Sequence, residues 1–309
     1  MRRRPSSRAT ATAAIVIAAL VVSSCEARVY GTTPAESDGP QVTIVAPQNN
    51  EAALPAAPPQ APSNGFDGLD ARTKQAVADA AKSGADISVV VLDRDTGQTV
   101  SGGDGSSFPI ASVVKLFIAD DLLLQESKGQ TTLSPADRKA LDSMLRSSDD
   151  SAAQNFWDRS GGNAVIGRVT ARYGLSGTTA PWNGHWDVTT STASDLVRYY
   201  DMLLDGSGGL PPEQANVIMG NLAQSTPTGI DGYPQRFGIP EGLYAEPVAV
   251  KQGWFCCWNG GNQLHVSTGA VGADRRYVMA VGSLDPTGAA AARDRMTQFV
   301  KTIFPGGKI

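Results

Sequence analysis

Phe108-Pro109-Ile110-Ala111-Ser112-Val113-Val114-Lys115 is the stretch on which the reading of this chain turns. It follows a glycine-rich loop (Gly102, Gly103, Gly105) and opens a run with helical spacing from about Ser112 to Gln125. Residues three apart share a face of a helix, so the Ser112 hydroxyl lies beside the Lys115 amine. A hydroxyl becomes a useful nucleophile when a base takes its proton. A lysine can be that base once burial or nearby cations lower its pKa. A helix start also leaves backbone N–H groups unpaired and pointing outward. Alone, the pair is equally compatible with a helix-start serine and a solvated lysine.

Outward from this stretch the elements alternate in a definite order. Helical spacing covers Asp67 to Lys82 and ends at Gly84. Ile87-Ser-Val-Val-Val-Leu92 reads as a strand, Asp93 to Gly97 as a turn, and Gln98 to Ser101 as the returning strand of a hairpin. Ser134-Pro135 has the form of an N-cap with proline at the first helical position, opening a helix to about Leu145. Further helices fit Ser151–Arg159, Ala164–Tyr173, Ala193–Leu204 and Pro212–Asn221, with Gly174 to Thr190 reading as surface loop. Strands fit Pro247–Lys251, Leu264–Gly269 and Tyr277–Leu284, and an amphipathic helix fits Ala289–Ile303. Strands at both ends with helices between predict an α+β fold. Both chain ends share one antiparallel sheet with flanking helices, and an all-helical lobe is inserted in the middle.

Two more segments carry chemistry: Ser148-Asp149-Asp150 in the helical lobe, and Lys251-Gln252-Gly253-Trp254 on a strand. Together with Ser112-Val113-Val114-Lys115, in this order, they resemble the penicillin-recognising serine enzymes. That family holds the class A β-lactamases and the D-Ala-D-Ala transpeptidases, with the pattern S-x-x-K, S-D-N, K-T-G. Thr189-Thr190-Ser191-Thr192-Ala193 also resembles the segment after that family's Ω-loop. The resemblance implies roles. Ser112 is the acyl-accepting nucleophile and Lys115 its base or proton relay. Ser148 passes a proton to the leaving nitrogen, and Lys251 supplies positive charge near it. The backbone N–H groups of Ser112 and Trp254 form the oxyanion hole, Gln252 and Gly253 belong to the substrate subsite, and Asp149 holds local backbone. Among proteins of this fold the chain is most similar to alanine-rich envelope lipoproteins of mycobacteria and related actinobacteria.

The sequence departs from the pattern at three places. Asp150 stands where the family has asparagine. A carboxylate only accepts hydrogen bonds, and beside Lys115 it raises the amine's pKa. Gln252 replaces the threonine whose hydroxyl binds the substrate carboxylate. No glutamate occurs between Gly161 and Thr192, where class A enzymes keep the residue that activates the deacylating water. His185 and Asp187 are the candidates left in that loop, against a reading of both as loop surface. Losing a loop acid while gaining Asp150 leaves the site's charge sum unchanged, so Asp150 itself is a candidate base. Two functions stay open. One is acyl-serine chemistry on a cell-wall peptide, ester or lactam. The other is an inactive member of the fold that binds a cell-wall ligand or protein partner.

The first 24 residues read as an export signal. Arg2, Arg3, Arg4 and Arg8 precede an uncharged apolar run that is too short to span a bilayer. Ser23-Ser24-Cys25 resembles the bacterial lipobox, which implies lipidation of Cys25 and anchoring to the outer face of the cell membrane. Residues 25–64 read as a Pro/Ala-rich tether with a reach of roughly 35 Å. Residues 65–309 form the folded domain. The net charge of −4, without basic clusters beyond the signal, argues against nucleic acid as a partner. The two histidines, His185 and His265, show no ligand spacing, so neither metal nor cofactor is expected. Cys256 and Cys257 are neighbours, and either a vicinal disulfide or two reduced thiols fits them. Oligomeric state leaves no mark in the sequence.

Overall fold

The computed structural model describes residues 66–309. The chain divides into two units, Met1–Ala57 and Pro58–Ile309, and the described residues belong to the second. The signal segment, Cys25 and the tether lie outside the described residues.

The N-terminal layer runs through α1 (Leu69–Ala81), β1 (Asp86–Asp93), β2 (Thr99–Gly102) and a two-residue β3 (Phe108–Pro109). A 3₁₀ turn, Ala111–Val114, leads into α2 (Lys115–Ser127). The helical lobe continues with α3 (Pro135–Arg146), α4 (Asp150–Arg159), α5 (Ala164–Tyr173), the short β4 (Thr190–Ser191), α6 (Ala193–Asp205) and α7 (Pro212–Leu222). A single turn, α8 (Ile239–Gly242), precedes β5 (Val248–Trp258), β6 (Asn262–Val271), β7 (Tyr277–Asp285) and the closing α9 (Ala289–Ile303).

The sheet order is β2-β1-β7-β6-β5, with every pairing antiparallel. Val89 of β1 lies opposite Val281 of β7, so the two ends of the chain meet in the middle of the sheet. This is the α+β arrangement expected from the order of elements. Side chains of a strand alternate between faces. Accordingly Val90 joins the core shared with the helical lobe, while Val89 and Val91 join the core under α1 and α9. Helix α2 is buried from Lys115 through Leu124, and its buried Asp120 and Asp121 are paired with Arg172 and Arg168. The cap of α3 forms as its sequence predicts: Ser134 Oγ accepts from Asp137 N (3.1 Å) and Asp137 Oδ2 accepts from Ser134 N (3.0 Å). Among the described residues no helix is long and apolar enough to cross a membrane.

The differences from the sequence reading have local causes. Ser112 lies in the 3₁₀ turn, so the regular α-helix starts at Lys115 rather than Ser112. Strand β5 runs on to Trp258 because β6 keeps pairing with it as far as Asn262. The β3–β4 pair and α8 span two to four residues each, too few for any periodic signal.

Candidate active site

The 3₁₀ turn suits the Ser112–Lys115 pair better than an α-helix would, because side chains three apart eclipse in it. Lys115 Nζ donates to Ser112 Oγ at 2.9 Å. Ala111 (φ 46°) and Ser148 (φ 58°) both take left-handed backbone, uncommon for residues other than glycine. Such conformations are held in place only when their surroundings over-determine them. Ser148 is fixed from several sides. Asp149 caps α4 by accepting from Ala152 N (3.1 Å) and is itself bonded by Ser143 Oγ (3.0 Å). Ile230 N donates to Ser147 O at 2.7 Å, tying the Thr226–Gln235 loop to the same corner.

Lysine chemistry dominates the floor. Lys115 Nζ also reaches Ser148 O (2.7 Å), Ser148 Oγ (3.1 Å) and Asp150 Oδ1 (2.5 Å). Lys251 Nζ donates to Ser148 Oγ at 3.0 Å and to Gln252 O at 3.1 Å. Both lysines are buried. Burial pushes the Lys115 pKa down, and although Asp150 pulls it up, burial prevails. Asp150 raises the amine's pKa as its place in the sequence predicts, but the net shift is downward because burial contributes more. The Asp150 side chain is 68 % exposed, and water screens it. Lys251 is pushed well below its ordinary value by burial and then by the neighbouring Lys115 charge. Among the described residues Asp150 bonds Lys115 and not Ser112.

The second wall is the free edge of β5. A Cβ on Gly253 would sit 2.5 Å from Ile110 O and 3.3 Å from Ser112 N, so glycine lets the strand pass against the 3₁₀ turn. That approach brings Gly253, one residue before Trp254, against the backbone of Ile110 and Ser112. The Trp254 ring stacks on Tyr233, with centroids 4.9 Å apart. Gln252 departs from expectation. Its residue parity on β5 turns it to the opposite face, where Nε2 donates to Phe237 O (2.7 Å) and Gln235 O (3.1 Å). It braces the loop before β5 and does not face the substrate subsite.

Between these walls lies a cleft of about 430 Å³ lined by Ser112, Asp150, Trp254 and Phe255, and by His185, Trp186, Asp187 and Asp231. His185 and Asp187 thus reach the site from the loop before β4. Trp186 and Asp231 had no sequence signal. The first sits in an aperiodic loop, where its indole N–H meets Gln154 Oε1 at 3.2 Å and its ring lies 4.8 Å from Lys115 Nζ. Of the aromatic cluster in the sequence, Trp254 and Phe255 line the cleft and Trp258 packs on Phe255 outside it. Cys256 and Cys257, both exposed, are joined as a disulfide across a cis peptide, with Cα atoms 3.0 Å apart. Among the described residues no cluster of His, Cys, Asp or Glu could hold a metal ion.

Comparison with known proteins agrees with this fold. A family model described as the Beta-lactamase enzyme family matches residues 70–137, which include Ser112 and Lys115. Proteins named "Putative lipoprotein LppW" from Mycobacterium tuberculosis and Mycobacterium bovis are 55% identical over 318 aligned residues, covering 100% of both chains. Among solved structures, a class A β-lactamase from Mycobacterium abscessus superposes with a TM-score of 0.59 at 20% identity, covering 75% of this chain and 97% of that one. A structure named PBP-A superposes at 0.63 with 18% identity, covering 77% and 95%. A β-lactamase from Chitinophaga pinensis gives 0.60 at 16% identity, covering 75% and 98%.

Proposed function

The chain belongs to the family of the mycobacterial LppW lipoproteins and has a β-lactamase-like fold, and from that premise we propose that it is a cell-envelope acyl-serine enzyme with Ser112 as nucleophile. The observation that carries this reading is the buried Lys115 amine, depressed in pKa, 2.9 Å from Ser112 Oγ. In this proposal the Ser112 oxygen attacks a peptide, ester or lactam carbonyl while its proton moves to Lys115. The backbone N–H groups of Ser112 and Trp254 receive the developing oxyanion. Ser148 Oγ accepts from both lysines, so its own hydroxyl hydrogen is free to pass to the leaving atom. Deacylation lacks the loop glutamate of class A enzymes, so the acyl-enzyme persists and β-lactam turnover is slow. Residues 1–24 direct export, lipid on Cys25 holds the protein at the outer face of the membrane, and residues 25–64 let the domain 65–309 reach cell-wall peptides.

The test is intact-mass analysis after exposure to a β-lactam or reactive ester, with nitrocefin hydrolysis alongside. The wild-type protein gains one acyl group that outlasts buffer exchange, and Ser112→Ala gains none. Asp150→Asn removes the charge that raises the Lys115 pKa, so the acid limb of the acylation profile moves to lower pH. No adduct after prolonged exposure would sink the enzymatic reading. It would leave a non-catalytic lipoprotein that binds a wall ligand, a reading favoured by the 2.5 Å Lys115–Asp150 contact.

A further inference from the structure

The charge of the cleft points to a substrate class. Its charged lining side chains are Asp150, Asp187 and Asp231, and no lysine or arginine lines it. The two site lysines are buried in the floor. The charge of Lys115 is offset by Asp150, and that of Lys251 is suppressed by burial and by Lys115. Asp231 accepts from Tyr233 N at 2.9 Å within its own loop, and neither Asp231 nor Asp187 forms an ion pair among the described residues. An anionic ligand would meet Asp187 and Asp231, neither in a direct ion pair among the described residues, although Asp231 also lies in the field of the two buried lysines. The strand position that could donate a hydroxyl to a ligand carboxylate is Gln252, which is spent on backbone carbonyls of the opposite face.

The aromatic walls point the same way by an independent route. Trp186 already holds an amine over its ring, Lys115 Nζ at 4.8 Å, and Trp254 and Phe255 add further aromatic surface beside the acids. We propose that the cleft takes an acyl donor carrying an ammonium or guanidinium group and no free carboxylate, the cation lying toward Asp187, Asp231 and the indole faces. This rests on the acyl-serine reading of the same cleft. With an aryl ester the step balances simply. The Ser112 Oγ–acyl bond forms, the acyl–O(aryl) bond breaks, the aryloxide departs and the hydroxyl proton passes to Lys115.

Three 4-nitrophenyl esters of matched length, ending in trimethylammonium, tert-butyl or carboxylate, test the proposal on the full chain. Acylation is read by intact mass and nitrophenolate release. The cationic ester should react about tenfold faster than the neutral one and the carboxylate slowest, with the gap shrinking at high salt. The double variant Asp187→Asn, Asp231→Asn should close the cationic-to-neutral ratio to within about threefold. Equal rates, preference for the carboxylate, or a ratio untouched by the double variant overturn the charge assignment while leaving Ser112 acylation standing. If no ester acylates, the acyl-enzyme reading fails by itself. The charge preference is then read separately by calorimetry, using the three corresponding amides on Ser112→Ala. Tightest binding of the cationic amide upholds it, and equal affinities or no binding overturn it.

Discussion

At the scale of single residues, the site sets burial against pairing. Lys115 shows burial outweighing a carboxylate in direct contact. His265 shows burial outweighing a more weakly acting acid, Asp285. It is enclosed in β6, its Nε2 meets the Tyr233 hydroxyl at 2.7 Å, and Nδ1 has no partner. Burial, then Arg293, lowers its pKa from 6.5 to about 4, with Asp285 pulling the other way. The folded state therefore refuses a proton that the unfolded chain binds. Stability is full above 6.5 and falls as pH drops toward about 4. His265→Gln should flatten that acid limb by about 2 kcal/mol between neutral pH and roughly pH 4.5. Urea titrations at both pH values check this, and an unchanged slope would refute it. Residues such as Ser112, Lys115, Ser148 and Lys251 were legible because a fixed local spacing carries their chemistry. Trp186, Asp231 and His265 were not, because distant loops and strands bring them in without any periodic signature.

Among elements, β5 joins the fold to the candidate chemistry. As the edge strand it has one side paired to β6 and the other free to run beside the 3₁₀ turn that bears Ser112. Its parity sends Lys251 to the site and Gln252 to the far core, so a strand read only as a motif misplaces one of its members. Gly253 sets the distance of approach. Gly253→Ala puts a methyl 2.5 Å from Ile110 O and forces the strand and turn apart. The expected result is loss of about 1–3 kcal/mol of stability, as for overpacking elsewhere. Acylation should fall at least about tenfold, because the oxyanion donors separate. Chemical denaturation and mass-detected acylation measure the two effects, and a fully acylating variant would contradict the placement of the oxyanion hole. The long helices were readable from their apolar spacing and caps, as α3 shows with Ser134 and Pro135. The 3₁₀ turn was not, because its serine and lysine fit either helical form.

On the scale of the whole molecule, the site depends on segments far from it. Helix α9 touches nothing in the cleft, yet Met296, Phe299, Val300 and Ile303 fill the core beneath the sheet. Each such side chain is worth about 1.5–3 kcal/mol of burial, and their sum rivals the roughly 5–15 kcal/mol that holds a domain together. Deleting Ala289–Ile309 should therefore abolish the cooperative thermal transition, whereas removing residues 1–64 should not. Calorimetry of the two truncations decides it, and a cooperative melt for the first would show that α9 is dispensable. The meeting of β1 with β7 reaches further, into the chain's earliest moments. While the polypeptide is being made, β1 waits without its neighbour until the last strand has emerged, since non-local pairing cannot begin sooner. A sheet that closes so late leaves the N-terminal strands without their central partner until nearly the whole chain exists. It also makes the far end a checkpoint. A chain clipped after β6 would still spell out every residue of the cleft, in order, with no sheet to assemble them.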